Sequence, residues 1–169
     1  RTPRLCGPGR SAHATTPSIA RTRRASSAEP TDDAFDGSGV DLRQLPVDLA
    51  FAGFRVHAAT NWREDVAVFL GASYFRAVAK GQLYGLSARG LAINTGEAKG
   101  EEFPFFKTFW IEKPAVGANS IVVNALLDSE SAAAAYRFTI RPSDTTVFDV
   151  EMAIYPRVDL GHAGLAPMT

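Results

Sequence analysis

Residues 135–154 read AYRFTIRPSDTTVFDVEMAI, and their alternation decides the fold. Tyr136, Phe138 and Ile140 alternate with Arg137, Thr139 and Arg141, the period-two pattern of a strand with one apolar and one polar face. Pro142, Ser143 and Asp144 then make a turn, since proline presets φ and the Ser and Asp side chains bond back to their own backbone. Beyond the turn, Phe148, Val150, Met152 and Ile154 fall on one side, Asp149 and Glu151 on the other. The two runs form an antiparallel hairpin.

Working back from the hairpin, SIVVNALLD (120–128) and FKTFWIE (106–112) are strand-like runs set off by Pro104, Pro114, Gly117 and Asn119. DLAFAGFRV (48–56) and VAVFLGASYFRAVA (66–79) open the body. Six to eight strands follow one another with no crossover helix, so the expected class is all-β, an antiparallel β-sandwich rather than α/β. FKTFWIE is apolar on both faces, which places Trp110 in the core. A sandwich needs two layers, and Leu70, Phe109, Ile111, Ile121, Val123, Leu126, Phe138 and Ile140 are the residues expected to face partners. If later strands are needed to complete the layers, one apolar face stays open and the chain alone is expected to be poorly soluble.

The composition divides the chain in two. Between Arg1 and Ala28 lie six arginines with no acidic or aromatic residue, whereas everything from Glu29 onward carries twelve basic and eighteen acidic residues. The net charge of zero is therefore a basic tail cancelling an acidic body. The expected organisation is a disordered Arg/Ser/Pro/Gly-rich tail and linker over 1–47 and an incomplete β-sandwich over 48–169. The tail lacks lysine clusters and interleaved aromatics, which argues against nucleic-acid binding. Arg23 and Arg24 are not followed by the run of about 7 to 15 apolar residues that an export signal requires. The chain opens on Arg rather than Met, and the tail reads as a linker, mis-assembled sequence or the remnant of an export segment.

Residues 69–106 carry the functional signal, with six of the fourteen glycines between Gly71 and Gly100. Glycine weakens a strand unless it serves a bulge, a turn or the close approach of a ligand or another backbone. Here it alternates with Tyr74, Phe75, Arg76, Tyr84 and Arg89. Tyr and Arg each join a flat face to directed hydrogen bonds, which suits polyhydroxylated ligands. Tyr74, Arg76, Tyr84 and Arg89 are the candidate saccharide contacts. Tyr74 and Phe75 adjoin, so one points inward and only the other can line a cleft. Arg76 shares the face of Tyr74, and its structural alternative is an ion pair with a neighbouring acid. Gly85 and Gly90 leave room for a chain of sugars beside Tyr84 and Arg89.

Glycoside hydrolysis normally uses two carboxyl groups about 5 to 9.5 Å apart. Glu101 and Glu102 read as a solvated loop pair, with a sugar contact by Glu102 the functional alternative. Asp128 reads as a turn residue, and Asp149 and Glu151 as a solvent-exposed face. His13, His57 and His162 show no metal-ligand spacing, and neither GxSxG nor a phosphate-binding loop occurs. No metal, cofactor or catalytic residue is therefore assigned. No stretch approaches the roughly 18 apolar residues of a spanning helix, so no stable membrane insertion is expected.

The run LGASYFRAVAKGQLYGLSARGLAINTG (70–96), then GEEFP (100–104), FKTFWIEKP (106–114), NALLDS (124–129), YRFTIRP (136–142) and GLAP (164–167), resembles the osmoregulated periplasmic glucan biosynthesis proteins of the G and D type, from Gram-negative bacteria. The resemblance covers about 120 residues from Asp48 to Thr169. It implies a large sandwich domain of the galactose-mutarotase-like type followed by a small immunoglobulin-like domain, of which this chain is the amino-proximal part. It further implies a periplasmic location and action on the β-1,2-linked glucose backbone of the glucans. D-type proteins resemble endo-acting β-1,2-glucan hydrolases whose aspartates lie in sequence beyond Thr169, so no catalytic role is carried onto this chain. The G and D types stay open. A non-catalytic carbohydrate-binding module, or an inactive truncated fragment, is the alternative.

Overall fold

Among residues 4–7, 10–11, 20–22, 41, 53–58 and 61–169, which the computed structural model describes, every regular element is a strand. They are β1 (Arg4–Gly7), β2 (Arg10–Ser11), β3 (Ala20–Thr22), β4 (Gly53–Ala58), β5 (Asn61–Leu70), β6 (Tyr74–Ala77), β7 (Ala88–Arg89), β8 (Leu91–Ile93), β9 (Phe105–Ile111), β10 (Ile121–Asp128), β11 (Ala132–Arg141), β12 (Val147–Pro156) and β13 (Ala163–Leu165). A six-stranded sheet runs β2-β1-β4-β5-β6-β7, a five-stranded sheet β12-β11-β10-β9-β3, and β13 pairs with β8. All the strand pairings are antiparallel, the sandwich architecture expected. The boundary expected between 47 and 48, and most of the segment expected to be disordered, lie outside the described residues.

Residues 135–154 form the β11–β12 hairpin, with Phe138 opposite Val150 and Arg137 opposite Glu151. Along β10 and β11 burial alternates as the sequence does: Ile121, Val123, Ala125 and Leu127 point inward with Ala132, Ala134, Tyr136, Phe138 and Ile140. The six-stranded sheet supplies Val56, Val66, Ala67, Phe69 and Phe75 to the same core. Phenylalanines join the layers. Phe138 lies 5.0 Å from Phe69 and 5.1 Å from Phe75, while Phe109 lies 5.5 Å from Phe69. Edge and offset contacts of this kind add to the area they bury.

The run 66–79 is not one strand. It breaks at Gly71, whose φ of 68° suits a residue without a Cβ, and β5 turns back on β6 with Phe69 opposite Phe75. Of the eight residues expected to face partners, Phe109, Ile111, Ile121, Val123, Phe138 and Ile140 pack in or against the core. Leu126 instead alternates onto the outer face of β10, and Leu70, at the turn, is 55% exposed. Trp110 is half-buried and lies outside the core: it pairs with Asn124 on the outer face of the sheet, between inward residues of β9 and β10. The inner face is also incompletely covered along β12. Phe148 and Ile154 pack against the core, but Val150 and Met152 between them stay 39% and 40% exposed. β12 is an edge strand, with β11 on one side and no strand described on the other.

The end of the five-stranded sheet is braced by charge. Asp128 accepts from Lys107 at 2.7 Å and from Arg157 at 2.8 Å. Hydrogen bonds from Lys107 and then Arg157 hold its carboxyl down to about 2. Two predictions follow from this packing and this brace. Phe138→Ala, which empties the centre of the phenylalanine layer, is expected to cost about 3 to 5 kcal/mol in urea unfolding. Because the folded pKa of Asp128 is depressed, its contribution is present above the unfolded value near 4 and fades as pH falls toward 2. Asp128→Asn should thus lower the melting temperature at neutral pH and flatten its decline across that acid range.

Candidate functional site

The parity of β6 settles which side chains leave the core. Phe75 is buried against Phe138, so Tyr74 and Arg76 emerge on the outer face of the six-stranded sheet. Cross-strand register then sets their neighbours. Val68 lies opposite Arg76, and Arg89 lies opposite Tyr74. Val68, Leu70, Tyr74, Arg76, Ser87 and Thr169 line an open depression of about 340 Å3 on this face, at the lower end of ligand-binding clefts.

Each arginine is held by an aromatic ring. The Arg76 guanidinium sits 5.7 Å from the centre of the Tyr84 ring, and its Nε donates to Ser87 Oγ. Arg89 lies between two rings, 5.5 Å from Tyr74 and 5.0 Å from Phe103. Its side chain is 4% exposed, and Nη1 donates to Glu101 Oε1. Nε and Nη2 are buried without a hydrogen-bond partner. The bond from Arg89 is the largest influence on Glu101 and, with a second from Thr95, holds its carboxyl below the usual range against the opposing effect of burial.

Of the expected contacts, Tyr74 and Arg76 line the depression, Tyr84 packs against Arg76, Arg89 is buried behind Tyr74, and Glu102 lies elsewhere. Glu102 accepts from the Ser131 backbone N–H at 2.9 Å and from Ser131 Oγ at 2.6 Å. Burial pushes its carboxyl up, but hydrogen bonds from Ser129 and Ser131 and the charge of Arg157 outweigh it, and it sits below its ordinary value. Glu101 and Glu102 point to opposite sides, yet neither is simply solvated: one neutralises Arg89, the other ties the loop to the start of β11. Asp149 and Glu151 form cross-strand ion pairs with Arg141 and Arg137. Arg76, by contrast, meets no carboxylate among the described residues.

The two glycines expected to make room for sugars differ. A Cβ on Gly85 would meet open space, whereas one on Gly90 would lie 3.0 Å from Phe106 and 3.2 Å from Leu127. Gly90 serves the core: its N–H donates to the Ser73 carbonyl at 2.8 Å, and its carbonyl accepts the Tyr136 hydroxyl at 2.7 Å across the sandwich. Burial pushes that phenol up to about 12. Sequence reasoning missed Ser87, Thr169, Leu70 and Phe103. Ser87 and Thr169 meet because their backbones exchange hydrogen bonds of 3.0 and 2.9 Å, a pairing across some eighty residues that no local pattern announces. Leu70 had a signal, since it precedes Gly71 and lies one position from the inward Phe69.

A family described as "Periplasmic glucan biosynthesis protein, MdoG" matches residues 16–169. "Glucans biosynthesis protein G" of Bradyrhizobium diazoefficiens is 71% identical over 142 residues, covering 82% of this chain and 28% of that protein. The protein of the same name from Rhodopseudomonas palustris strain CGA009 is 71% identical over 125 residues, 72% of this chain and 25% of that one. "Glucans biosynthesis protein G 1" of Shewanella oneidensis is 54% identical over 139 residues, 80% and 26% of the two chains. The chain thus spans about a quarter of the length of these curated relatives. Because the family match takes in residues 16–169 of this chain, the chain belongs to the periplasmic glucan biosynthesis protein family.

Proposed function

We propose that this chain is the glucan-binding portion of a periplasmic protein that acts in synthesis or processing of the β-1,2-linked glucose backbone of osmoregulated periplasmic glucans. The observation that carries the reading is that Tyr74 and Arg76 line one open depression, with the Tyr84 ring against Arg76 and the buried Arg89 behind Tyr74. An aromatic ring offers its face to the C–H side of a pyranose, and a guanidinium donates in a fixed fork to ring and hydroxyl oxygens. Since Ser87 and the Tyr84 ring hold Arg76, little side-chain entropy is left for it to lose on binding. Glu102 enters only as a flanking contact, its carboxylate being engaged by Ser131.

Binding without cleavage is the share of the work that these residues support. No Asp or Glu side chain lines the depression, and Glu101, Glu102 and Asp128 are each tied to a cation or a serine. A general acid and base for glucan hydrolysis would come from other parts of the longer polypeptide. The uncovered Val150 and Met152 on the β12 edge support continuation of the sandwich by further strands of that polypeptide, ahead of an immunoglobulin-like domain. The same observations suit a non-catalytic carbohydrate-binding module, and the two readings part on whether the complete protein cleaves glucan.

Titration calorimetry with linear β-1,2-gluco-oligosaccharides tests the reading. Tyr74→Ala, which removes a ring and the support of Arg89, should weaken binding about tenfold, and Arg137→Gln on the opposite sheet should leave it unchanged. An unaffected Tyr74→Ala protein would place the glucan elsewhere. The chain alone is expected to release no reducing sugar from β-1,2-glucan, and measurable release would overturn the division between binding and cleavage.

A further inference from the structure

We propose that Arg89 is a positioning residue: paired with Glu101 and set against Phe103, it holds the Tyr74 ring in the attitude that receives a saccharide. This inference rests on the glucan-binding reading above and gives Arg89 a role other than the ligand contact expected from its spacing.

Register brings the two side chains together. Tyr74 and Arg89 are direct partners on β6 and β7, so both leave on the same face of the sheet. Tyr74 lines the depression, and so does Ser87, two residues before Arg89. Arg89 does not: its side chain is 4% exposed, which leaves almost nothing for a sugar to touch. Its guanidinium lies 5.5 Å from the centre of the Tyr74 ring. The cation thus backs the ring whose surface the ligand would meet.

What fixes Arg89 is anchored in its turn. Glu101 Oε1 accepts from Arg89 Nη1 and, at 2.9 Å, from Thr95 Oγ1. Glu102, next along the chain, points the other way and is held by Ser131, just ahead of β11, while its own N–H donates to the Ile93 carbonyl at 3.1 Å. The loop that supplies the counter-charge is therefore tied to the frame beside the residue that carries it. Phe103 stands 5.0 Å from the same guanidinium and is itself 54% exposed. A buried cation keeps its place as long as its charge is met. A ring backed by such a fixed guanidinium has fewer rotamers to give up when a saccharide stacks on it.

Calorimetry on the full chain with a linear β-1,2-gluco-oligosaccharide compares Glu101→Gln and Phe103→Leu, each alone and each combined with Tyr74→Ala. Alone, each should weaken binding about three- to fivefold. Combined with Tyr74→Ala, neither should weaken it further, because both act through that ring. A general loss of stability, or a sugar contact by the replaced residue, would add to the effect of Tyr74→Ala instead. In the ligand-free protein the NMR resonances of the Tyr74 ring should shift in both variants, while those of Tyr155 on the other sheet stay. Phe103→Leu decides the matter if Glu101→Gln, which leaves a buried charge unmet, fails to fold. Unchanged affinity, a further loss in the Tyr74→Ala background or unmoved Tyr74 resonances would overturn the positioning role and leave the glucan reading standing. Absence of binding by the unaltered chain would instead defeat the glucan reading, and this inference with it.

Discussion

The contact between phenylalanines of opposite sheets is the constraint on which the rest of the molecule depends. Phe69 and Phe75 from one sheet meet Phe138 from the other at about 5 Å, and Phe106, Phe109 and Phe148 extend the layer. In a strand the side-chain period is two, so the burial of any one residue fixes the outward direction of its neighbours. Seating Phe75 in this layer therefore exposes Tyr74 and Arg76 on the far side. A one-residue slip of β6 would bury an arginine and a tyrosine and expose a phenylalanine. The proposed binding face is a consequence of the core.

A second tie passes through the interior where β7 leads into β8. Tyr136 reaches across the sandwich to the Gly90 carbonyl, and Phe106 fills the space that a side chain at position 90 would need. This holds the backbone beside Arg89 at a fixed depth, which places the guanidinium between Tyr74 and Phe103. Burying a cation is costly unless its charge is met, and Glu101 meets it from the neighbouring loop. Core packing, the hydroxyl bond and the ion pair thus act in series on the position of one side chain.

The acidic residues serve the frame here. Asp128 clamps Lys107 and Arg157 at one end of the five-stranded sheet, and Glu102 ties its loop to the Ser131 turn. Asp149 and Glu151 repeat across the hairpin as partners of Arg141 and Arg137. Around the depression on the outer face of the six-stranded sheet stand Tyr74, Arg76 and Ser87, with Arg76 lacking an Asp or Glu partner among the described residues.

Much of the fold was legible because strand alternation is written locally: the hairpin of residues 135–154 and the in-and-out order of β10 and β11 follow from their apolar period alone. The family was legible from motifs spread over the body. The break at Gly71 was harder to read, since the flanking residues are strand formers on both sides and only a φ of 68° separates two strands from one. Trp110 was misplaced because an apolar run does not say which face a sheet covers. At the site, sequence proposed Tyr74, Arg76, Tyr84 and Arg89 by type and spacing, but not which charges are compensated. That depends on which strands meet: Glu101 reaches Arg89, Glu102 reaches Ser131, and Thr169 comes to lie beside Ser87. Residue type and period determined the strands and their faces, and tertiary pairing alone decided which polar groups found partners, because a partner distant along the chain leaves no mark on local pattern.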